Sequence, residues 1–326
     1  MGMSLDEFGL IARYFTRPVP ERQGVGDDCA LLDVGATTLA LTTDMLVEGV
    51  HFFPGAEPEA LGHKCLAVNL SDLAAAGARP RSFLLALALP VADPAWLDAF
   101  SRGLFALAQE HDCHLVGGDT VRTATRGGAM TVAITAIGEV DRETVRGRSG
   151  ARPGDDVWVS GWLGESALAL AVRRGELPAE ALGAEAETCF RRMDRPQPRV
   201  ALGRALAGLA TAAADVSDGL IGDLGHILER SGVGAEVIWE DVPRAPAFAG
   251  LGTVRQQHCI LAGGDDYELV FTAAPEHRDA VLAAGARTGV PVSHIGRIDL
   301  EQGLRLRNAA GDRIGDTLKA FNQFPT

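Results

Sequence analysis

The chain has no CxxC pair, and its five cysteines (Cys29, Cys65, Cys113, Cys189 and Cys259) are an odd number. A disulfide framework is not expected, and reduced, mostly buried thiols in a cytoplasmic protein are. No apolar run approaches the roughly 18 residues that a membrane span requires. The opening stretch, MGMSLDEFGLIARYF, lacks a basic segment followed by an apolar one, so no export signal is expected there. Ser4 and Glu7 instead have the spacing of a capping box ahead of a short amphipathic helix. Cations are scarce: 30 basic residues face 43 acidic ones, for a net charge of -13. Neutralising a nucleic-acid backbone needs clustered Lys and Arg, so no nucleic-acid partner is expected. Small anionic ligands stay compatible with this charge if metal ions mediate the contact. The GxxxxGK[ST] phosphate loop, the G-x-S-x-G elbow and the HExxH helix are all missing.

What is there begins with size. A chain of 326 residues, 47% hydrophobic, suggests two domains, because single cores stop growing near about 250–300 residues. The patterning is α/β (α+β). Strands are expected at Thr38–Thr43, with Leu46–Phe53 able to pair with it, then at Arg81–Leu89, His114–Val116 and Met130–Val140. Helices are expected at Pro58–Gly77 and Pro94–Gln109. The polar RGRSGARPGD stretch (Arg146–Asp155) is the best boundary, dividing a mixed-sheet domain at 1–148 from an α/β domain at 149–326. Beyond it come strands at Val157–Ser160, into Asp215 and at Val292–Ile298. Helices are expected there at Glu165–Arg174, Arg199–Ala210 and Leu220–Arg230, with a turn-rich tail. HLVGGDT at His114 and ILAGGDD at Ile260 either mark related halves or are two ordinary GGD turns.

Aspartate recurs in five short stretches: GVGDD (Gly24–Asp28), TTD (Thr42–Asp44), NLSD (Asn69–Asp72), GGDT (Gly117–Thr120) and DVSDG (Asp215–Gly219). Most follow apolar or β-branched runs, where a buried strand would end and a loop begin. One GDD or GGD is an ordinary turn. Several in one chain suggest carboxylates gathered around a cation, with glycine letting the backbone approach a ligand. Mg²⁺ takes oxygen ligands and keeps its affinity for phosphate oxygens, so the pattern points to a magnesium-dependent enzyme acting on phosphates. Asp72 is the most telling residue. It lies within the apolar CLAVNLSDLAAAGA stretch, with Asn69 on the same helical face. A buried, unpaired carboxylate is costly, so Asp72 is metal-bound, exposed, or paired locally with Ser71 or Arg79.

Taken in order, GVGDDCALL, TTDMLVEGVHF, NLSDLAAAGA, LVGGDT, DVSDGLIGDLGHI and GGDDYELVF resemble the thiamine-monophosphate kinase family. That family belongs to the superfamily of aminoimidazole ribonucleotide synthetase. The resemblance runs from Phe8-Gly9-Leu10-Ile11 to the aromatic near the C-terminus. It implies a two-domain, synthetase-like architecture and a homodimer built with strands of the first domain. It further implies ATP- and Mg²⁺-dependent phosphorylation of thiamine monophosphate to thiamine diphosphate. Several Mg²⁺ ions would be held by Asp28, Thr43, Asp44, Asp72, Asp119, Asp215 and Asp218, with Thr42 adding a backbone ligand. ATP would meet Gly118, Asp119, Arg148 and Ser217. His51 would reach the substrate, and Asp265 and Phe321 would lie near the thiamine moiety. Asp44, Asp72, Asp119 and Arg148 form the catalytic set under this reading.

Two positions depart from the family pattern: GGDDYE replaces the common GGEDYE, and Phe321 stands where Tyr or Trp is frequent. Three residues also carry plainer readings. Arg148 suits a solvated linker, His51 a strand-end surface, and Phe321 a tail anchored on the core. Two other functions stay open: an ATP-using synthetase of the same superfamily that activates a carbonyl or amide oxygen, and a nucleotide-binding regulator without turnover.

Overall fold

The computed structural model describes residues 7–16, 25–125, 127–315 and 317–321. Ser4 of the expected capping box and Gly24 of GVGDD lie outside the described residues. A short helix, α1 (Glu7–Leu10), runs into a π-helical turn at Ile11–Phe15. The first sheet has five strands: β1 (Ala30–Val34), β2 (Thr37–Val47), β3 (Arg79–Leu89), β4 (His114–Arg122) and β5 (Thr131–Val140), in the order β1-β2-β5-β3-β4. All its pairs are antiparallel except β3 with β4. A parallel neighbour needs a crossover, which the helix α3 (Pro94–Glu110) provides. Helix α2 (Pro58–Ala75) packs on α3 and on the same sheet.

The second sheet joins β6 (Asp156–Ser160), β7 (Ala210–Val216), β8 (Gly234–Ile238), β9 (Glu268–Ala273), β10 (Val292–Asp299) and β11 (Gly303–Arg307), in the order β11-β8-β10-β6-β9-β7. Its helices are α4 (Glu165–Arg173), α5 (Ala186–Asp194), α6 (Val200–Ala205), α7 (Leu220–Ser231), α8 (Thr253–Gln257) and α9 (Arg278–Thr288). The chain is therefore α/β with two mixed sheets, the first finished by Val140 and the second begun at Asp156.

Helix α2 is the centre of the molecule. Pro58 occupies its first position, the Glu57 carboxylate accepts from the amides of Glu59 and Ala60, and Gly77 (φ +70°) lies just past its end. Fifteen of its eighteen residues are buried. One side meets the first sheet, and the other meets α6, β7 and β9 of the second. A helix enclosed on all sides must be apolar or pair its polar groups, which explains its alanines and the partners of each polar side chain.

Several expectations need correction. Leu46–Phe53 does not form a second strand; β2 runs on to Val47 and the chain then turns, with His51 N bonded to Val47 O. The strand expected at His114–Val116 extends to Arg122, and the helix expected to reach Ala210 stops at Ala205. TTD and GGDT lie inside strands and NLSD inside a helix, so only GVGDD and DVSDG match the expected turns among the described residues. The two GGD units are not equivalent, because one sits within β4 and the other precedes β9.

Candidate active site

Carboxylates from three separate elements converge beside α2. Asp28 comes from the bend before β1, Asp72 from the last turns of α2, and Asp215 from β7. One carboxylate oxygen from each lies within 4.8 Å of the others. Burial raises the pKa of all three; repulsion from the other carboxylates adds to this at Asp72 and at Asp215, which is taken up to about 8, while at Asp28 Arg148 works against burial and Asp27 with it. Asp44 of β2 presses on Asp72 and Asp215 with the same charge. Helix α2 organises this group. Its Asn69 Oδ1 accepts from the Asp44 amide at 3.2 Å, Ser71 Oγ donates to Asp215 Oδ2 at 2.7 Å, and Asp72 accepts from the Thr42 hydroxyl. Asp72 does not use the local partners considered from the sequence, since Ser71 bonds Asp215 and Arg79 pairs with Asp112.

Arg148 is no solvated linker residue. Its side chain is 11% exposed and its Nη2 lies 2.6 Å from Asp28 Oδ1, while its amide donates to Asp27 Oδ1 at 2.7 Å. Asp28 Oδ2 is buried with no hydrogen-bond donor among the described residues. Asp223, in the first turn of α7, accepts from the amides of both Ser217 and Asp218 at 3.1 Å and so fixes the DVSDG turn. Its own pKa is raised by burial and then by Asp218.

A second group forms the rim. His51 Nδ1 accepts from the Val47 amide at 3.0 Å, which places the neutral ring's proton on Nε2; burial and the nearby Lys64 charge lower its pKa. Asp265 is held by Lys64 of α2 at 2.5 Å and has φ +69°. The Phe321 amide donates to Asp218 O at 3.2 Å, which brings this residue against the DVSDG turn, although Phe321 as a whole is exposed.

Comparison with known proteins gives this site a context. The AIR synthase related protein N-terminal domain family matches residues 26–140, and the corresponding C-terminal domain family matches residues 152–307. A thiamine-monophosphate kinase of Salmonella typhimurium is 44% identical over 305 residues, which is 92% of this chain and 92% of that protein. This chain belongs to the thiamine-monophosphate kinase family. The crystal structure of the Stenotrophomonas maltophilia thiamine-monophosphate kinase superposes with a TM-score of 0.79 at 44% identity, covering 94% of each chain. AaThiL, solved in complex with AMPPCP and TMP, has a TM-score of 0.84 at 30% identity, covering 99% of each chain.

In this family member the sequence-predicted residues fall into three sets. Asp28, Asp72 and Asp215 form the cluster, with Asp44 and Thr42 against it and Ser217 and Asp218 in the adjoining turn. Thr42 faces Asp72 with its hydroxyl, not through the backbone ligand that the resemblance implies. Thr43 does not: strand alternation turns its hydroxyl to the other face, where it pairs with Thr135 Oγ1 at 2.8 Å. Gly118 and Asp119 stand apart on the exposed edge strand β4. They lie three strands from β2, about 14 Å along the sheet at the usual strand spacing. Sequence reasoning missed Lys64 and Asp223. Each is an ionisable residue in an otherwise apolar helical stretch, the same signal that marked Asp72.

The cluster fits a hard divalent cation. It offers only oxygen donors, one of them orphaned, and the repulsion among its carboxylates is what a bound cation would offset. Cys29 Sγ, beside it, donates to Asp72 O at 3.4 Å; burial and the surrounding aspartates push its thiol pKa well up, so it is no thiolate nucleophile.

Proposed function

We propose that this chain catalyses ATP- and Mg²⁺-dependent phosphorylation of thiamine monophosphate to thiamine diphosphate by direct in-line transfer. The observation that carries this reading is the convergent trio Asp28, Asp72 and Asp215, whose gathered carboxylates, one oxygen of Asp28 orphaned among the described residues, suit a cation in an otherwise acidic chain. ATP carries about four negative charges, and a phosphomonoester about 1.5–2 with a second pKa near 6. Bound Mg²⁺ would neutralise these phosphates and align them for in-line displacement.

The residues supply placement around that chemistry. Asp28, Asp72 and Asp215 are the cation ligands, with Asp44 and Asp218 beside them. Arg148, braced between Asp28 and Asp27, holds a fixed positive charge for the transferring group. Asp223 holds the Ser217–Asp218 turn in place by accepting from both of its amides, which keeps Asp218 beside the cluster. No strong base is required, because the attacking phosphate oxygen is already ionised at neutral pH. His51 and the Asp265 loop form the acceptor side.

The homodimer belongs to the same proposal. Every residue of β4 is exposed, and Leu84, Leu115, Val116 and Val121 present apolar side chains on this edge and its neighbour. A long exposed apolar edge is a template for pairing, and a second copy is the occupant that the resemblance implies. In such a dimer Asp119 would serve the partner's site or a shared one. We place the domain boundary at 148/149 and the protein in the cytoplasm, in keeping with five buried free cysteines.

The test is product analysis with ATP, Mg²⁺ and thiamine monophosphate. Thiamine diphosphate and ADP in equal amounts, abolished by a chelator, are expected. Inversion at a chiral γ-phosphorothioate checks direct transfer, and retention would rule it out. ADP formed only with carbonyl or amide acceptors would move the chain to the synthetase class. Tight nucleotide binding without any product would make it a regulator.

A further inference from the structure

The chain has only two lysines, Lys64 and Lys319, and Lys64 is enclosed in the central helix. Its side chain is 7% exposed, and its ammonium reaches Asp265 Oδ2 at 2.5 Å and the Met193 carbonyl at 2.9 Å. Both partners belong to the second domain, the first of them 201 residues away in sequence. A compact ammonium can donate to a carboxylate and a carbonyl at once in a tight space, which a planar guanidinium does less well.

The segment held by this contact is unusual. Asp265 (φ +69°) and Tyr267 (φ +54°) both adopt left-handed backbone that non-glycine residues avoid, with Asp266 between them. Such conformations are costly and persist only where the surroundings enforce them. The enforcement is visible here. Asp265 N donates to Ser217 O at 2.8 Å and Tyr267 N to Val216 O at 2.9 Å, while the Asp266 carboxylate accepts from Gly164 N. These bonds tie the segment to the second domain alone. The Lys64–Asp265 pair adds a tie to α2, the helix that carries Asn69, Ser71 and Asp72. It also lies close enough to His51 to act on its charge.

We infer that Lys64 is a positioning residue for the acceptor, fixing Asp265 and its strained segment at a set distance from the carboxylates on its own helix. This rests on the kinase reading, with Asp265 on the acceptor side. Lys64 need not touch either substrate; it acts through Asp265.

The experiment is a double-mutant cycle with Lys64→Met and Asp265→Asn, reading kcat and the KM of each substrate. For Lys64→Met the expected result is a rise of roughly 10- to 100-fold in the thiamine monophosphate KM, with the ATP KM within about twofold. Lys64→Arg, which keeps the charge, recovers part of the loss. Adding Lys64→Met to Asp265→Asn costs less than about threefold more, because the pair is already broken. Equal losses in both KM values, or fully additive effects, overturn the inference, as does an unchanged Lys64→Met. If Lys64→Met does not fold, Lys64→Arg and Asp265→Asn decide: an acceptor-selective defect in both supports the role, and an unselective one removes it. Wild-type protein that makes no thiamine diphosphate retires the kinase reading and this inference together. Wild-type turnover with an unselective Lys64 defect retires only the inference.

Discussion

Asp72 shows how a residue can serve a site at a cost to the empty protein. It is largely enclosed, repelled by Asp44, Asp215 and Asp28, and relieved by the Thr42 hydroxyl. Asp72→Asn keeps an acceptor for Thr42 and removes one like charge. We expect the metal-free variant to be more stable than wild type by about 1–3 kcal/mol, with activity down roughly 100-fold or more and the Mg²⁺-induced rise in Tm lost. Full activity in this variant would take Asp72 out of the site. Asp215 makes the related pH prediction. Burial and Asp28 raise its folded pKa from the ordinary carboxylate range to about 8, so the folded chain keeps a proton that the unfolded chain releases. Metal-free stability should therefore fall, on the order of a few kcal/mol, as pH rises from about 4 to about 8. Urea unfolding in chelator across this range tests it. Asp215→Asn should show a shallower decline, with the remainder left to Asp28, Asp72 and Asp223, and an identical curve for both proteins would refute the assignment. The stabilisation gained on adding Mg²⁺ should be larger at pH 8 than at pH 6.

At the scale of elements, α2 is packed backbone to backbone on two neighbours. A Cβ on Gly103 of α3 would lie 1.8 Å from Glu59 O, one on Gly62 2.0 Å from Phe100 O, and one on Gly203 of α6 1.9 Å from Ala74 O. Alanine at Gly103 would gain about 1 kcal/mol of helix propensity yet meet rigid backbone, so the clash decides the sign. Gly103→Ala is expected to lower unfolding stability by about 3 kcal/mol, and an unchanged denaturation midpoint would contradict this packing. The ends of α2 and α7 were legible because caps, proline and glycine mark them locally. The strands carrying TTD and GGDT were read too short for a physical reason. Asp44 tolerates a strand interior because its amide is taken by Asn69, and Gly118 is there for close approach, its Cβ site lying 1.8 Å from Leu85 O. Glycine beside aspartate signals a turn or a close contact equally, and only the neighbouring strand tells which. The short β8, β9 and β11 passed unnoticed, since five or six residues carry little periodicity. The carboxylates themselves were visible in the sequence. Lys64 and Asp223 carried the same signal, an ionisable residue in an apolar helical stretch, but the role of each depends on a partner that only the fold supplies.

For the whole molecule, the proposed homodimer makes the β4 edge the feature to break. Val116 (61% exposed) and Val121 (51%) carry its apolar surface. A Val116→Glu/Val121→Glu double variant should sediment as a monomer where wild type sediments at twice the chain mass. A wild-type monomer would end the proposal, and a dimeric variant would move the interface elsewhere. The two-domain construction also has a consequence in time. The Ser71–Asp215 contact that completes the acidic cluster joins residues 144 apart. A ribosome adding about 5–20 residues per second needs roughly 7–30 s to travel between them. Through that interval the nascent chain displays Asp28, Asp44 and Asp72 without their counterpart from β7, while the central helix lacks the second sheet that encloses it. Any ion the trio holds is thus captured only after about two-thirds of the protein has been made. A truncated product ending before residue 215 would carry most of the acidic ligands and still be unable to close the site.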